Sequence, residues 1–99
     1  MIEPIDRSHL EEAAAIFKAL SDPARLQTLI TLAAGERNVG ELVQAEQDRI
    51  GTVSARLKVL LQARLVKRRR EGKNAIYEIA DAHVFKLVKN AIAHAGENH

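Results

Sequence analysis

The chain has 99 residues, 46% of them hydrophobic, enough for one packed core and too few for two. It contains no cysteine, which excludes disulfides, thiolate metal sites, iron–sulfur clusters and cysteine nucleophiles, and its three aromatics (Phe17, Tyr77, Phe85) leave a core of Leu, Ile, Val and Ala that favours packed helices. The net charge is only +2, so the 9 arginines among 15 cations matter through their distribution, not their sum. No run approaches the roughly 18 apolar residues of a membrane span, and Met1-Ile2-Glu3-Pro4 lacks the basic-then-apolar order of a signal peptide, so a soluble cytoplasmic protein is expected.

Ser8-His9-Leu10-Glu11 fits a capping box, and Leu10, Ala13, Ala14 and Phe17 follow at helical spacing, predicting a first helix from about His9 to Leu20. Ser21-Asp22-Pro23 is a second start signal, a cap followed by proline in the first turn. Leu26, Leu29, Ile30 and Ala33 form the apolar stripe of a helix from Pro23 to Ala34 that Gly35 ends. Asn38-Val39-Gly40-Glu41 repeats the cap-plus-acid logic for a short helix carrying Val39, Leu42 and Val43. Glu46-Gln47-Asp48-Arg49 reads as a turn. Beyond Gly51, Val53, Leu57, Leu60 and Leu61 define a further helix that leaves Thr52, Ser54, Ala55, Arg56 and Lys58 on or near its exposed side. The period then changes. Leu65 to Arg70, the turn Glu71-Gly72-Lys73-Asn74, and Ala75 to Ile79 make a hairpin. Asp81 caps a last helix lined by Val84, Leu87, Val88, Ala91, Ile92 and Ala95 and ending near Gly96.

Five of the seven residues from Lys67 to Lys73 are cationic. Helix, turn, helix and basic hairpin are the parts of a winged helix-turn-helix, in which a helix end reads base edges while flanking cations hold phosphates. Singly, each part is common in proteins that never touch nucleic acid, and a basic run is usually a solvated face. Together they point to double-stranded DNA, contacted by Thr52, Ser54, Ala55, Arg56 and Lys58 from the helix and Lys67, Arg68, Arg69, Arg70 and Lys73 from the wing. Single-stranded nucleic acid fits less well, because stacking platforms need aromatics and only Tyr77 lies near the hairpin.

Leu20-Ser21-Asp22-Pro23-Ala24-Arg25-Leu26, then Thr52-Val53-Ser54-Ala55-Arg56-Leu57-Lys58-Val59-Leu60, Leu65-Val66 and Gly72 in the wing resemble the ArsR/SmtB family of bacterial metal-responsive repressors. The resemblance runs from about His9 onward and implies a mainly α fold with a β-hairpin wing, a single winged helix-turn-helix domain over residues 1–99 that dimerises through its terminal helices. Ala55 departs from the family, whose members often carry a polar or basic residue beside the serine, and the departure bears on which bases are read.

His83 and His94 are 11 residues apart, about 20° around a helix axis but about 16 Å along it, so one ion with bonds of about 2 Å cannot join them on one straight helix. Two copies pairing antiparallel near Val88 bring Asp81 and His83 of one chain to His94 and Glu97 of the other. Two identical sites per dimer result, each with two imidazoles and two carboxylates, a set compatible with tetrahedral zinc. The stripe Val84, Leu87, Val88, Ala91, Ile92 and Ala95 is broad for a terminal helix and independently suggests a second copy. Against this, Asp81 alone reads as a cap and Glu97 and His99 as tail residues.

The resemblance adds that zinc-sensing relatives carry the spacing seen at Asp81, His83, His94 and Glu97. The Cys-Val-Cys of thiolate-type sensors is replaced by Asn38-Val39-Gly40, which argues against arsenite, lead or cadmium sensing. Zinc, cobalt and nickel all remain open, since nickel- and cobalt-sensing relatives add tail histidines, a role available to His99 and, from the N-terminal arm, to His9. The family also implies that the second ring nitrogen of His94 is linked by hydrogen bonding to the backbone carbonyl of Arg64. The expected activity is a homodimeric repressor that holds operator DNA without metal and releases it when metal binds. A metal-independent winged-helix regulator is the rival reading. A metal-dependent hydrolase fits poorly, because protein ligands fill all four positions of the site.

Overall fold

A computed structural model describes residues 4–97. In chain order the elements are α1 (Arg7–Leu20), α2 (Pro23–Ala33), β1 (Arg37–Asn38), α3 (Val39–Glu46), α4 (Ile50–Gln62), β2 (Val66–Glu71), β3 (Asn74–Ile79) and α5 (Ala82–Ala95). Three of the sequence caps are in place. Asp22 Oδ2 accepts from the Arg25 N–H at 2.9 Å ahead of Pro23. Asn38 and Glu41 exchange side-chain and backbone bonds at 2.8 and 2.9 Å, and Asp81 Oδ1 accepts from the Val84 N–H at 3.0 Å. Each satisfies a donor that a helix start leaves without an intrahelical partner.

The first helix departs from expectation in its start and its inward face. Asp6 caps it, because the Asp6 carboxylate accepts both the Ser8 N–H (2.8 Å) and the Ser8 hydroxyl (2.7 Å), leaving Ser8 inside the first turn. The expected stripe is turned outward as well: Leu10 is 51% and Phe17 62% exposed, and Ile16, Ala19 and Leu20 face the core instead.

Leu29 and Leu32 of α2, Leu42 of α3, and Val53, Leu57 and Leu60 of α4 meet Leu65, Val66 and Tyr77 of the hairpin in one core, which α5 closes with Val84 and Val88. The sheet is antiparallel in the order β1-β3-β2. Its two-residue edge strand β1, pairing Arg37 with Tyr77 and Asn38 with Ile76, is absent from the sequence prediction because it exists only through that pairing. Glu71 and Asn74, expected in the turn, form the last pair of the ladder, and the reversal is made by Gly72 (φ +63°) and Lys73. Among the described residues no helix is long and apolar enough to cross a membrane.

Between α4 and β2 the chain turns through Arg64 at φ +60°, a left-handed conformation that costs an L-residue about 1–2 kcal/mol. Arg64→Gly should therefore raise stability by about 1 kcal/mol in urea denaturation, whereas Leu57→Ala, which removes a side chain 1% exposed, should lower it by about 2–5 kcal/mol.

Candidate nucleic-acid interface and metal-ligating helix

Helix α4 starts at Ile50, after Arg49 in extended conformation. Val53, Leu57 and Leu60 fix its inner face, so Thr52, Ser54, Ala55 and Lys58 are exposed, as a base-reading helix requires. Arg56 departs from the expectation that it faces DNA. Its side chain is 8% exposed, with Nη1 donating to Glu46 Oε2 at 2.8 Å and Nη2 to Asp48 Oδ2 at 2.9 Å. The other oxygen of Glu46 accepts the hydroxyl of fully buried Thr28, so one carboxylate from the end of α3 ties α2 to α4.

The wing sorts its cations by strand alternation. Residues paired across a ladder share a face: Val66, Arg68 and Arg70 lie with Ile79, Tyr77 and Ala75, and Lys67, Arg69 and Glu71 with Glu78, Ile76 and Asn74. On the second face Arg69 donates to Glu36 (2.5 and 2.8 Å), Glu71 (3.0 Å) and Glu78 (3.0 Å), and Lys67 sits 3.6 Å from Glu78. The hydrogen bonds from Arg69 hold the Glu36 carboxyl below the usual glutamate range, and the carboxylates raise Arg69 in turn. On the first face Arg68 and Arg70 are exposed, and Arg70 and Lys73 line a groove of about 440 Å³ with Asn38, Val39 and Gly40.

Helix α5 holds the four expected ligands in two pairs. Asp81 and His83 stand at its start, with a carboxylate oxygen and His83 Nδ1 3.8 Å apart, while His94 and Glu97 stand at its end, 3.2 Å apart. All four are exposed, His83 almost completely. Among the described residues of one chain no cluster of three or more His, Asp or Glu is placed to hold a metal. Asp81 spends one oxygen on the helix cap and keeps the other. Beside Asp81 and His83 lies a groove of about 420 Å³ lined by Glu12, Ile16, Arg64 and Leu87. His9 is exposed on the first turn of α1, and His99 lies outside the described residues.

The expected dimer stripe divides. Val84 and Val88 are 8% and 4% exposed within their own chain and are spent on its core, which corrects their assignment to an interface. Leu87 is half-buried, and Ala91, Ile92 and Ala95 are exposed. Missed in the sequence were the outward residues Leu10 and Phe17 of α1, exposed Arg49 ahead of α4, and the carboxylates Glu36, Glu46 and Glu78 that engage the two arginines.

No family model matches the chain. Relatives and solved structures do. The chain is 37% identical over 95 residues to the HTH-type transcriptional repressor SmtB of Mycobacterium tuberculosis, covering 96% of this chain and 70% of that one. The chain belongs to the ArsR/SmtB family. Its fold is similar to the homodimeric winged helix-turn-helix DNA-binding domain of a Mycobacterium bovis protein, with a TM-score of 0.88 and 36% identity over 100% of this chain and 96% of that one. It is also similar to apo-NmtR, with a TM-score of 0.78 and 32% identity over 100% and 83% of the two chains. As a member of ArsR/SmtB, a family of metal-responsive winged helix-turn-helix regulators, the chain is a transcriptional regulator and not an enzyme.

The Glu36–Arg69 clasp has a pH signature. A carboxyl held low when folded contributes stability that is full above its unfolded value near 4.5 and is lost as pH falls through the lower folded value. Thermal melts from pH 7 to pH 3 should show Glu36→Gln losing less of its stability in acid than the parent protein.

Proposed function

We propose that the chain is a cytoplasmic homodimeric repressor that binds operator DNA in its metal-free form and releases it when zinc, or alternatively cobalt or nickel, occupies two sites between the subunits. Each site would be held by Asp81 and His83 of one copy and His94 and Glu97 of the other. The observation that carries this reading is the placement of two outward-facing ligand pairs at opposite ends of one helix, each too small to bind alone. Two imidazoles and two carboxylates suit a closed tetrahedral zinc centre, which supplies a fixed tie between two helices and leaves no open position for catalysis. Antiparallel α5 helices join the pairs. The groove at Asp81 and His83 also contains Arg64, the residue whose carbonyl the family reading links to His94, so the end of a second α5 entering there meets both partners.

The single domain expected over residues 1–99 is, in its described residues 4–97, one winged unit whose last helix would dimerise and sense. Leu87, Ala91, Ile92 and Ala95 of α5, joined by Leu10 and Phe17 of α1, supply the apolar surface between the terminal helices of two copies. Thr52, Ser54 and Ala55 enter the major groove from each copy, with Lys58 beside them toward the phosphates, and the wings flank them. When the paired α5 helices are held in one arrangement, their packing through Val84 and Val88 against the body shifts the spacing of the two α4 helices, and both can no longer meet successive half-operators. Selective release separates this reading from a regulator whose last helix only dimerises.

Fluorescence anisotropy on the DNA upstream of the gene, titrated with zinc, cobalt, nickel, cadmium and arsenite, should show release by one of the first three and none by the last two. His83→Ala and His94→Ala should keep metal-free binding and lose the release; release unchanged in both variants would remove the site assignment. Coupling is reciprocal, so saturating operator should weaken zinc affinity by the same factor, about 5–150-fold, in competition with a chromophoric chelator. Equal zinc affinities with and without operator would contradict the mechanism.

A further inference from the structure

The two arginines most completely engaged by carboxylates are both in elements assigned to DNA. Arg56 lies in the middle of α4, yet its fork is filled by Glu46 and Asp48 and its side chain is 8% exposed. Withdrawing it to a phosphate would leave the Glu46 carboxylate, itself 4% exposed, as an unpaired buried charge. Arg69 lies in the middle of the wing, but it is bonded to Glu36, Glu71 and Glu78. Glu36, Glu71 and Glu78 outnumber Arg69 and its neighbour Lys67, which sits 3.6 Å from Glu78, so that patch keeps a net negative charge and repels a polyanion. Glu36 belongs to the connection between α2 and β1, which makes this cluster a tie between the wing and the body of the domain.

Lys67 apart, which faces Glu78, the other cations of α4 and the wing differ. Among the described residues, Lys58, Arg68, Arg70 and Lys73 are exposed and enter no intramolecular ion pair. Arg68 and Arg70 share the face of the hairpin opposite to Arg69, and Lys73 stands at the tip beside Gly72.

We propose that Arg56 and Arg69 are positioning residues, fixing the angle of α4 and of the wing through intramolecular ion pairs, and that Lys58, Arg68, Arg70 and Lys73 make the phosphate contacts. Sequence discrimination then depends on two acid–base ties that never touch DNA, because a reading helix or wing held at the wrong angle loses the operator's base contacts while keeping non-specific charge attraction. The inference rests on the reading that the chain binds operator DNA.

The test is the salt dependence of DNA binding by the full-chain dimer, measured by anisotropy on its upstream operator and on a random duplex. Each phosphate contact contributes about 0.9 to the slope of log K against log salt, so a substitution present in both copies and removing one contact per copy lowers the slope by about 1.8. Arg68→Gln, Arg70→Gln, Lys58→Gln and Lys73→Gln should each do so. Arg69→Gln and Arg56→Gln should leave the slope unchanged and lower the operator-to-random affinity ratio by roughly tenfold, the size of one misread base pair. Glu36→Gln and the milder Glu46→Gln break the same ties from the acidic side, and they cover the case in which Arg56→Gln does not fold. If the arginines contacted DNA, freeing them would raise operator affinity and preference; as positioning residues, both carboxylate variants must lower the ratio. A slope loss of about 1.8 for Arg69→Gln, or a ratio that rises for Glu36→Gln, overturns the inference while leaving operator binding intact. Absence of specific binding by the parent protein at low salt overturns the operator reading itself and the inference with it.

Discussion

Helix α5 is bound to the body by Val84 and Val88, and that one packing contact dictates what its other faces can do. With its inner face committed to the core, His83 and His94 must face away from it, and the helical rise keeps them about 16 Å apart. A single copy therefore presents two separate histidine–carboxylate pairs. On the proposed function, incompleteness suits the helix to sensing: binding at a site shared between two copies would change how the copies sit together, whereas a site closed within one copy has no necessary effect on the other. The absence of cysteine narrows the same point chemically, because no thiolate is available to complete the shell.

A second buried interaction performs a comparable service for the reading head. Glu46 is the hinge pin of the helix-turn-helix, accepting from Thr28 of α2 and Arg56 of α4 while itself closing α3. The buried ion pair is poor evidence of net stability, since removing two charges from water costs about as much as their attraction returns. What it supplies is geometry, because a planar guanidinium shared between two carboxylates admits few orientations. Leu65, packed in the core between α4 and the wing, has its carbonyl accepting from the N–H of Ala80 just ahead of α5.

Much of this was legible in the sequence, for identifiable reasons. Caps at Asp22, Asn38 and Asp81 are local signals, read from residues three apart, and the helices that follow them begin where expected. The Ser8 cap failed because Asp6, two residues upstream, is the stronger acceptor and takes the serine hydroxyl for itself. The face of α1 was misread because its alanines make two apolar stripes, and only the packing of Ile16 and Leu20 chooses between them. Arg69 and Glu36 are 33 residues apart, a separation at which no local pattern pairs an acid with a base. The wing is different. Its period-2 alternation was present in the sequence and already separated Arg68 and Arg70 from Lys67 and Arg69; counting five cations together concealed it. The separation of His83 and His94 to opposite ends of α5 was legible because helical geometry is regular enough to place side chains 11 residues apart.

Mixing two defective variants shows whether two chains share each metal site. A His83→Ala homodimer and a His94→Ala homodimer each lack one ligand in both sites. Once their subunits exchange, every mixed dimer regains one complete set, Asp81 and His83 from the His94→Ala chain with His94 and Glu97 from the His83→Ala chain. Neither variant alone should bind zinc tightly against a chelator, and tight binding should reappear after mixing with a stoichiometry of one ion per mixed dimer. Tight binding by either variant alone, or no recovery in mixed dimers verified to have formed, would contradict a shared site.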